Sequence, residues 1–117
     1  MILYGIPNCD TVRKARKFLE KNQIDYQFHD FKKKGLSLSL IQIWLTQHPI
    51  EKLVNKRSTT WKQLSDIQKE QLMSQTNIAL LTEYPTLIKR PVLQIDRAPQ
   101  PTIMIGFDEK AYQILIH

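Results

Sequence analysis

Ile2-Leu3-Tyr4-Gly5-Ile6-Pro7-Asn8-Cys9-Asp10-Thr11-Val12-Arg13 is the stretch from which the fold of this chain is read. A short apolar run leads into the breaker cluster Gly5-Ile6-Pro7-Asn8, and a helix-like segment, Asp10 to Lys21, starts directly after Cys9. The order is strand, tight loop, then a sulfur at or near the first turn of a helix. Unpaired N–H groups and the positive end of the helix dipole favour a thiolate there over a thiol. Since the thiolate is the nucleophilic form, the thiol is expected to titrate below the ~8.5 of free cysteine. A lone cysteine can also be a small buried hydrophobe. The strand-loop-Cys-helix setting, with Arg13, Lys14 and Arg16 just downstream, favours reactivity.

Working outward, the helix carries Val12, Ala15, Phe18 and Leu19 on one stripe and charges elsewhere, and Asn22 is its expected stop. Asp25 to Phe31 alternates polar and aromatic residues at period two and reads as a second strand, which makes a right-handed βαβ unit with the first. Gly35 breaks the pattern. Ser37 is then expected to cap a helix reaching about His48, with Leu38, Ile41, Trp44 and Leu45 inward. A shorter piece surrounds Leu53 and Val54, and Asn55 to Thr60 reads as a polar loop. Ser65-Asp66-Ile67-Gln68 matches a capping box, and Asn77 is the expected cap of a further helix ending at Pro85.

The strand pattern returns at Val92-Leu93-Gln94-Ile95 and Thr102-Ile103-Met104-Ile105. The linker from Asp96 to Pro101 suits an antiparallel hairpin. Asp108 is expected to cap a last helix with Ala111, Tyr112, Leu115 and Ile116 facing inward. The expectation is an α/β, thioredoxin-like mixed sheet in one domain, residues 1–117. Thioredoxin-like parts lie at about 1–35 and 86–117, with a helical insertion at about 36–85.

The composition fits that expectation. A chain of 117 residues, 42% hydrophobic and 24% charged, is one globular domain with a real core. One cysteine rules out an internal disulfide and suits a reducing, cytoplasmic setting. Neither a signal peptide nor a run of ~20 apolar residues is evident, so no membrane association is expected. The net charge of +6 is uneven: residues 1–62 carry twelve Lys/Arg against five Asp/Glu, and residues 63–117 five against six. Such a field concentrates anions. Nucleic acid is the weaker reading, because the basic residues are scattered and no recognition helix is evident.

Arg57, beside Ser58, Thr59 and Thr60, could form an anion pocket of charge-assisted donors. Arg90, before Pro91, would stand extended at the sheet edge. Both also fit as surface arginines in local ion pairs. His29, His48 and His117 lack metal-ligand spacing, so no metal is expected. Cys9 is followed by Asp10, Thr11 and Val12, so there is no C-x-x-C and a resolving thiol must come from outside.

Taken together, these segments resemble a known family. Tyr4 to Thr11 resembles the active-site start of the arsenate reductase-related (ArsC/Spx) family, and His29-Asp30-Phe31 resembles the end of its second strand. Asn55 to Lys62 and Ile88 to Leu93 match two further motifs in the same order. The match is to a small bacterial branch regarded as glutathione-dependent thiol reductases.

The resemblance implies Cys9 as nucleophile, Arg57, Arg90, Asn8 and Thr11 as substrate or anion-binding residues, and Pro91 as a cis-proline beside the sulfur. It implies no bound cofactor, glutathione as co-substrate and glutaredoxin as a possible helper; a monomer is expected because no strong exposed apolar seam is apparent in the sequence. The family's arsenate reductases place a third arginine roughly where this chain has Met104-Ile105-Gly106, which weakens an arsenate-reducing role. Spx-type regulators use a C-x-x-C switch that Val12 precludes, which weakens a non-enzymatic, partner-binding role.

Overall fold

The computed structural model describes residues 1–116, the last for its backbone only. The expectations placed on the Ile116 side chain and on His117 therefore lie outside the described residues. The chain divides into two compact units: Met1–Phe31 together with the segment from Arg90 onward, and Lys32–Lys89. The segment read from the sequence as a helical insertion, about 36–85, falls within the second unit.

In the first unit, β1 (Ile2–Gly5), β2 (Gln27–Asp30), β3 (Val92–Ile95) and β4 (Thr102–Ile105) form a mixed sheet in the order β2-β1-β3-β4. β1 runs parallel to β2, with Tyr4 opposite His29, and antiparallel to β3, with Leu3 opposite Leu93. β3 and β4 form the expected antiparallel hairpin. Between β1 and β2 runs α1 (Asp10–Lys21), and α8 (Glu109–Ile116) closes the unit. Asp108 stands just before α8, its carbonyl accepting from the Tyr112 N–H.

The core is what the stripe on α1 dictates. Ala15, Phe18 and Leu19 pack with Leu3, Leu93, Ile95 and Tyr112, and Val12 is fully buried beside them in sequence. Phe18 and Phe107 each meet Tyr112 edge to face, at 5.8 and 4.8 Å between centroids. At Gly5 the helix comes so close that an added Cβ would lie 2.8 Å from Val12 Cγ2. Only glycine lets the strand end and the first turn of α1 meet this tightly.

The end of α1 is equally specific. Gln23 N–H donates to Glu20 O and Ile24 N–H to Leu19 O, with Gln23 at φ +57°. This is a Schellman motif, with glutamine in the left-handed position where glycine is usual.

The second unit is helical: α2 (Phe31–Lys34), α3 (Leu38–Gln47), α4 (Ile50–Leu53), α5 (Thr59–Gln63), α6 (Asp66–Met73), α7 (Leu80–Glu83) and a 3-10 turn, Pro85–Leu87. Ser37 caps α3 and the Ser65–Gln68 capping box opens α6, as expected. Four readings need correction. The second strand is confined to 27–30, and Phe31 begins α2 rather than ending the strand. The polar loop 55–60 turns into α5 at Thr59, because Ser58 caps it. Residue 79, not Asn77, occupies the N-cap of α7; Asn77 instead lends its carbonyl to the Leu80 N–H. Pro85 starts a turn of 3-10 helix in place of a plain stop. Each missed element is five residues or fewer, too short for a periodic pattern to show. Among the described residues no helix is long and apolar enough to cross a membrane.

Candidate functional site

The site is built around the first turn of α1. β1 delivers the chain to Gly5, the exposed Pro7-Asn8 turn redirects it, and Cys9 occupies the N-cap of α1 with φ −100° and ψ 128°. Its carbonyl accepts from the Arg13 N–H at 2.9 Å. The thiol is free and half-buried. It closes no full capping hydrogen bond of its own. The helix amides therefore act on the sulfur as donors that tighten once it carries charge.

Partial burial pushes the Cys9 thiol up, but opposing influences together outweigh it. The Val12 N–H, the Arg90 side chain and the Thr11 N–H favour the thiolate, and the charge of Arg90 adds to them; the net result lies below the ordinary thiol range. The helix-terminus argument is thus carried by named donors, and the cation comes from the far end of the sequence.

Arg90 is half-buried and stands two residues before β3, and the Arg90–Pro91 peptide is cis, as is Ala98–Pro99. Pro91 is buried and its carbonyl accepts from the Gly106 N–H at 2.8 Å. The sequence reading put this arginine at a sheet edge. It stands instead just ahead of the start of β3, an inner strand between β1 and β4, and its side chain acts on the sulfur.

The downstream basic residues, Arg13 and Arg16, have other work. Arg13 pairs with Asp10 at 2.6 Å, in the open. Arg16 lies over the Phe28 ring at 4.2 Å and donates to the Tyr26 hydroxyl, which in turn donates to Glu20. Neither bears on the Cys9 thiol. Their proximity in sequence was a misleading signal; the useful one was the Arg-Pro pair before a buried strand.

Asn8 and Thr11 are both exposed. Thr11 contributes its backbone N–H to the sulfur, not its hydroxyl. Arg57 belongs to the second unit and is exposed there. Its N–H donates to Asn55 Oδ1, while Ser58 Oγ accepts from the Trp61 N–H and donates to Asn55 O. Thr60 Oγ1 bonds Thr86 Oγ1 at 2.6 Å. Two of the three hydroxyls expected to line an anion pocket thus hold the local fold together. No group of three or more His, Cys, Asp or Glu among the described residues is arranged to hold a metal.

The fold and site define a thioredoxin-like protein with a single free thiol at a helix N-terminus. The chain belongs to the ArsC family, whose profile matches residues 4–115. It is 45% identical over 111 residues to an uncharacterized protein of Haemophilus influenzae, covering 95% of this chain and 94% of that one. It is 32% identical over 109 residues to the global transcriptional regulator Spx of Streptococcus pyogenes serotype M1, covering 92% of this chain and 78% of the regulator. Among solved structures, a protein named YffB superposes with a TM-score of 0.90 at 34% identity, covering 99% and 98% of the two chains.

Proposed function

We propose that the protein is a single-cysteine thiol oxidoreductase of the cytoplasm that takes glutathione as co-substrate. The Cys9 thiolate attacks the sulfur of a glutathione mixed disulfide on a substrate, forming the Cys9–S–S–glutathione bond. The substrate sulfur leaves as a thiolate and takes a proton from solvent. A second glutathione thiolate then attacks the glutathione sulfur, releasing glutathione disulfide and returning Cys9 as thiolate. Substrate disulfide is reduced, two glutathione units leave as the oxidised dimer, and Cys9 is unchanged.

One observation carries this reading: the thiol is lowered by the Thr11 and Val12 amides and by Arg90, with no second cysteine in the chain. Arg90 stabilises both the resting thiolate and the same sulfur as it leaves the mixed disulfide, and it offers paired donors to a glutathione carboxylate. Arg57 is proposed as a further anion-binding residue on the resemblance of its motif. No metal or bound cofactor takes part, and the protein acts as a monomer, with glutaredoxin as an optional helper.

Intact-mass measurement after incubation with oxidised glutathione tests the reading. Wild type gains one glutathione and Cys9→Ser gains none. An unmodified wild type whose thiol also resists alkylation overturns it.

A second reading is supported by the likeness to Spx: a module that binds an acidic partner without catalysis. Its binding would be salt-sensitive and survive Cys9→Ser. Arsenate is the weaker substrate. Positions 104 to 106 hold no arginine, and Arg97 in the last hairpin is committed to Leu115 O at 2.6 Å. Arsenate-dependent turnover with glutathione and glutaredoxin, lost in Cys9→Ser, would reverse that judgement.

A further inference from the structure

We propose that a groove beside α1 is a docking site for an acidic protein segment that carries apolar side chains. The groove has a volume of about 270 Å³ and is lined by Lys14, Lys17, Phe18, Lys21, Phe107 and Glu109. All six residues lie in the first unit, and none of them acts on the Cys9 sulfur.

The three lysines are spaced three and four residues apart on α1, which sets their Cβ atoms about 5–6 Å apart along one ridge. All three are exposed. Among the described residues none of their side chains makes an ion pair, hydrogen bond or ring contact. The floor is aromatic. Phe18 is 6% exposed, and Phe107 is half-buried with its ring 6.0 Å from that of Phe18. Tyr112 packs beneath both rings edge to face, so the floor is fixed before anything binds.

The charge sets the sign of the occupant, and the floor sets its kind. Nucleic acid offers phosphates to the lysines, but Glu109 in the same groove repels them. A membrane surface needs apolar side chains standing proud of the protein, whereas Phe18 is sunk beneath the lysines. An acidic protein segment satisfies every wall. Its carboxylates meet the ammonium groups, its apolar side chains meet Phe107, and its backbone N–H groups meet Glu109.

The test uses the whole protein and two fluorescein-labelled octapeptides, one repeating Glu-Glu-Phe-Phe, the other the same peptide with glutamine in place of every glutamate. A single-stranded oligonucleotide and phosphatidylglycerol vesicles serve as rival probes. At low salt the glutamate peptide should bind about tenfold tighter than its glutamine counterpart and weaken as ionic strength passes about 0.15 M. Lys17→Glu with Lys21→Glu should cost about tenfold, while Lys52→Glu with Lys62→Glu, in the second unit, should leave binding unchanged. Should the first pair not fold, Lys17→Gln with Lys21→Gln makes the same comparison. Tighter binding of the oligonucleotide or the vesicles, equal binding of the two peptides, or indifference to the groove substitutions overturns the proposal. Because Cys9→Ser should bind the peptide as wild type does, the result is independent of the thiol chemistry.

Discussion

The side chain of Arg90 acts on the sulfur of Cys9 as a donor and as a charge, bringing a cation from the start of β3 to the N-terminus of α1. That relationship makes the acidity of one residue a property of another. Replacing Arg90 with Ala should raise the Cys9 thiol by removing both the donor and the charge. Replacing it with Lys should raise it less, since a point charge survives without the fork. Iodoacetamide rates across pH measure this; a wild-type thiol at or above the free-cysteine value would refute the account.

The same shift makes stability depend on pH. The folded thiol lies below the unfolded one, so between the two values the unfolded chain holds a proton that the folded chain has released, and stability rises with pH. The gain is complete above the unfolded value of ~8.5 and is lost as pH falls through the folded value. Urea denaturation of wild type and Cys9→Ser should therefore diverge in favour of wild type as pH rises through that window.

Gly5→Ala should destabilise the protein by about 1–3 kcal/mol, because the new methyl meets the branched side chain of Val12 at 2.8 Å. Val12→Ala opens that space at its own cost, so the double variant should lose less than the two single losses combined. A double-mutant cycle in urea checks the coupling; strict additivity would mean that the strand and helix can move apart freely.

Gln23 and Gln75 both hold positive φ, and both end their helices in the same pattern. For α6, Gln75 N–H donates to Leu72 O and Thr76 N–H to Gln71 O. Glycine suffers no Cβ penalty in this conformation. Each of Gln23→Gly and Gln75→Gly should stabilise by about 0.5–1 kcal/mol, read as a higher urea midpoint at constant slope.

Tyr112 is fully buried, and its hydroxyl has no hydrogen-bond partner among the described residues. Burial pushes its phenol well above the ordinary tyrosine range. Tyr112→Phe should therefore be neutral or stabilising by up to about 1 kcal/mol near neutral pH. A phenol raised by folding costs stability as pH climbs past its unfolded value of ~10. Thermal melts at high pH should show the Phe variant losing less than wild type. A loss of 2 kcal/mol or more at neutral pH would mean that the hydroxyl is satisfied.

The larger elements were legible because each one repeats. The α1 stripe, the Ser37 and Ser65 caps and the two late strands all read directly from the sequence. So did Cys9 at the helix start and Arg90 before Pro91, since strand, breaker and helix signals bracket them. What could not be read was where side chains spend their hydrogen bonds. Arg16 turns to Phe28 and Tyr26, and Ser58 turns to the backbone of its own helix, because local partners within a few ångströms outcompete a distant anion. Nor does periodicity reveal helices as short as α2 and α5.

The first unit is assembled from both ends of the chain, and that has a consequence in time. During synthesis Cys9 leaves the ribosome early, while Arg90 and the strand that carries it follow only after the helical unit has been made. Until β3 pairs with β1, the sulfur lacks the donor and the charge of Arg90, and only the amides at the start of α1 favour its thiolate. A chain ending at Lys89 should accordingly alkylate more slowly at neutral pH than the whole protein, so that the last strands to be made complete the setting of the first helix.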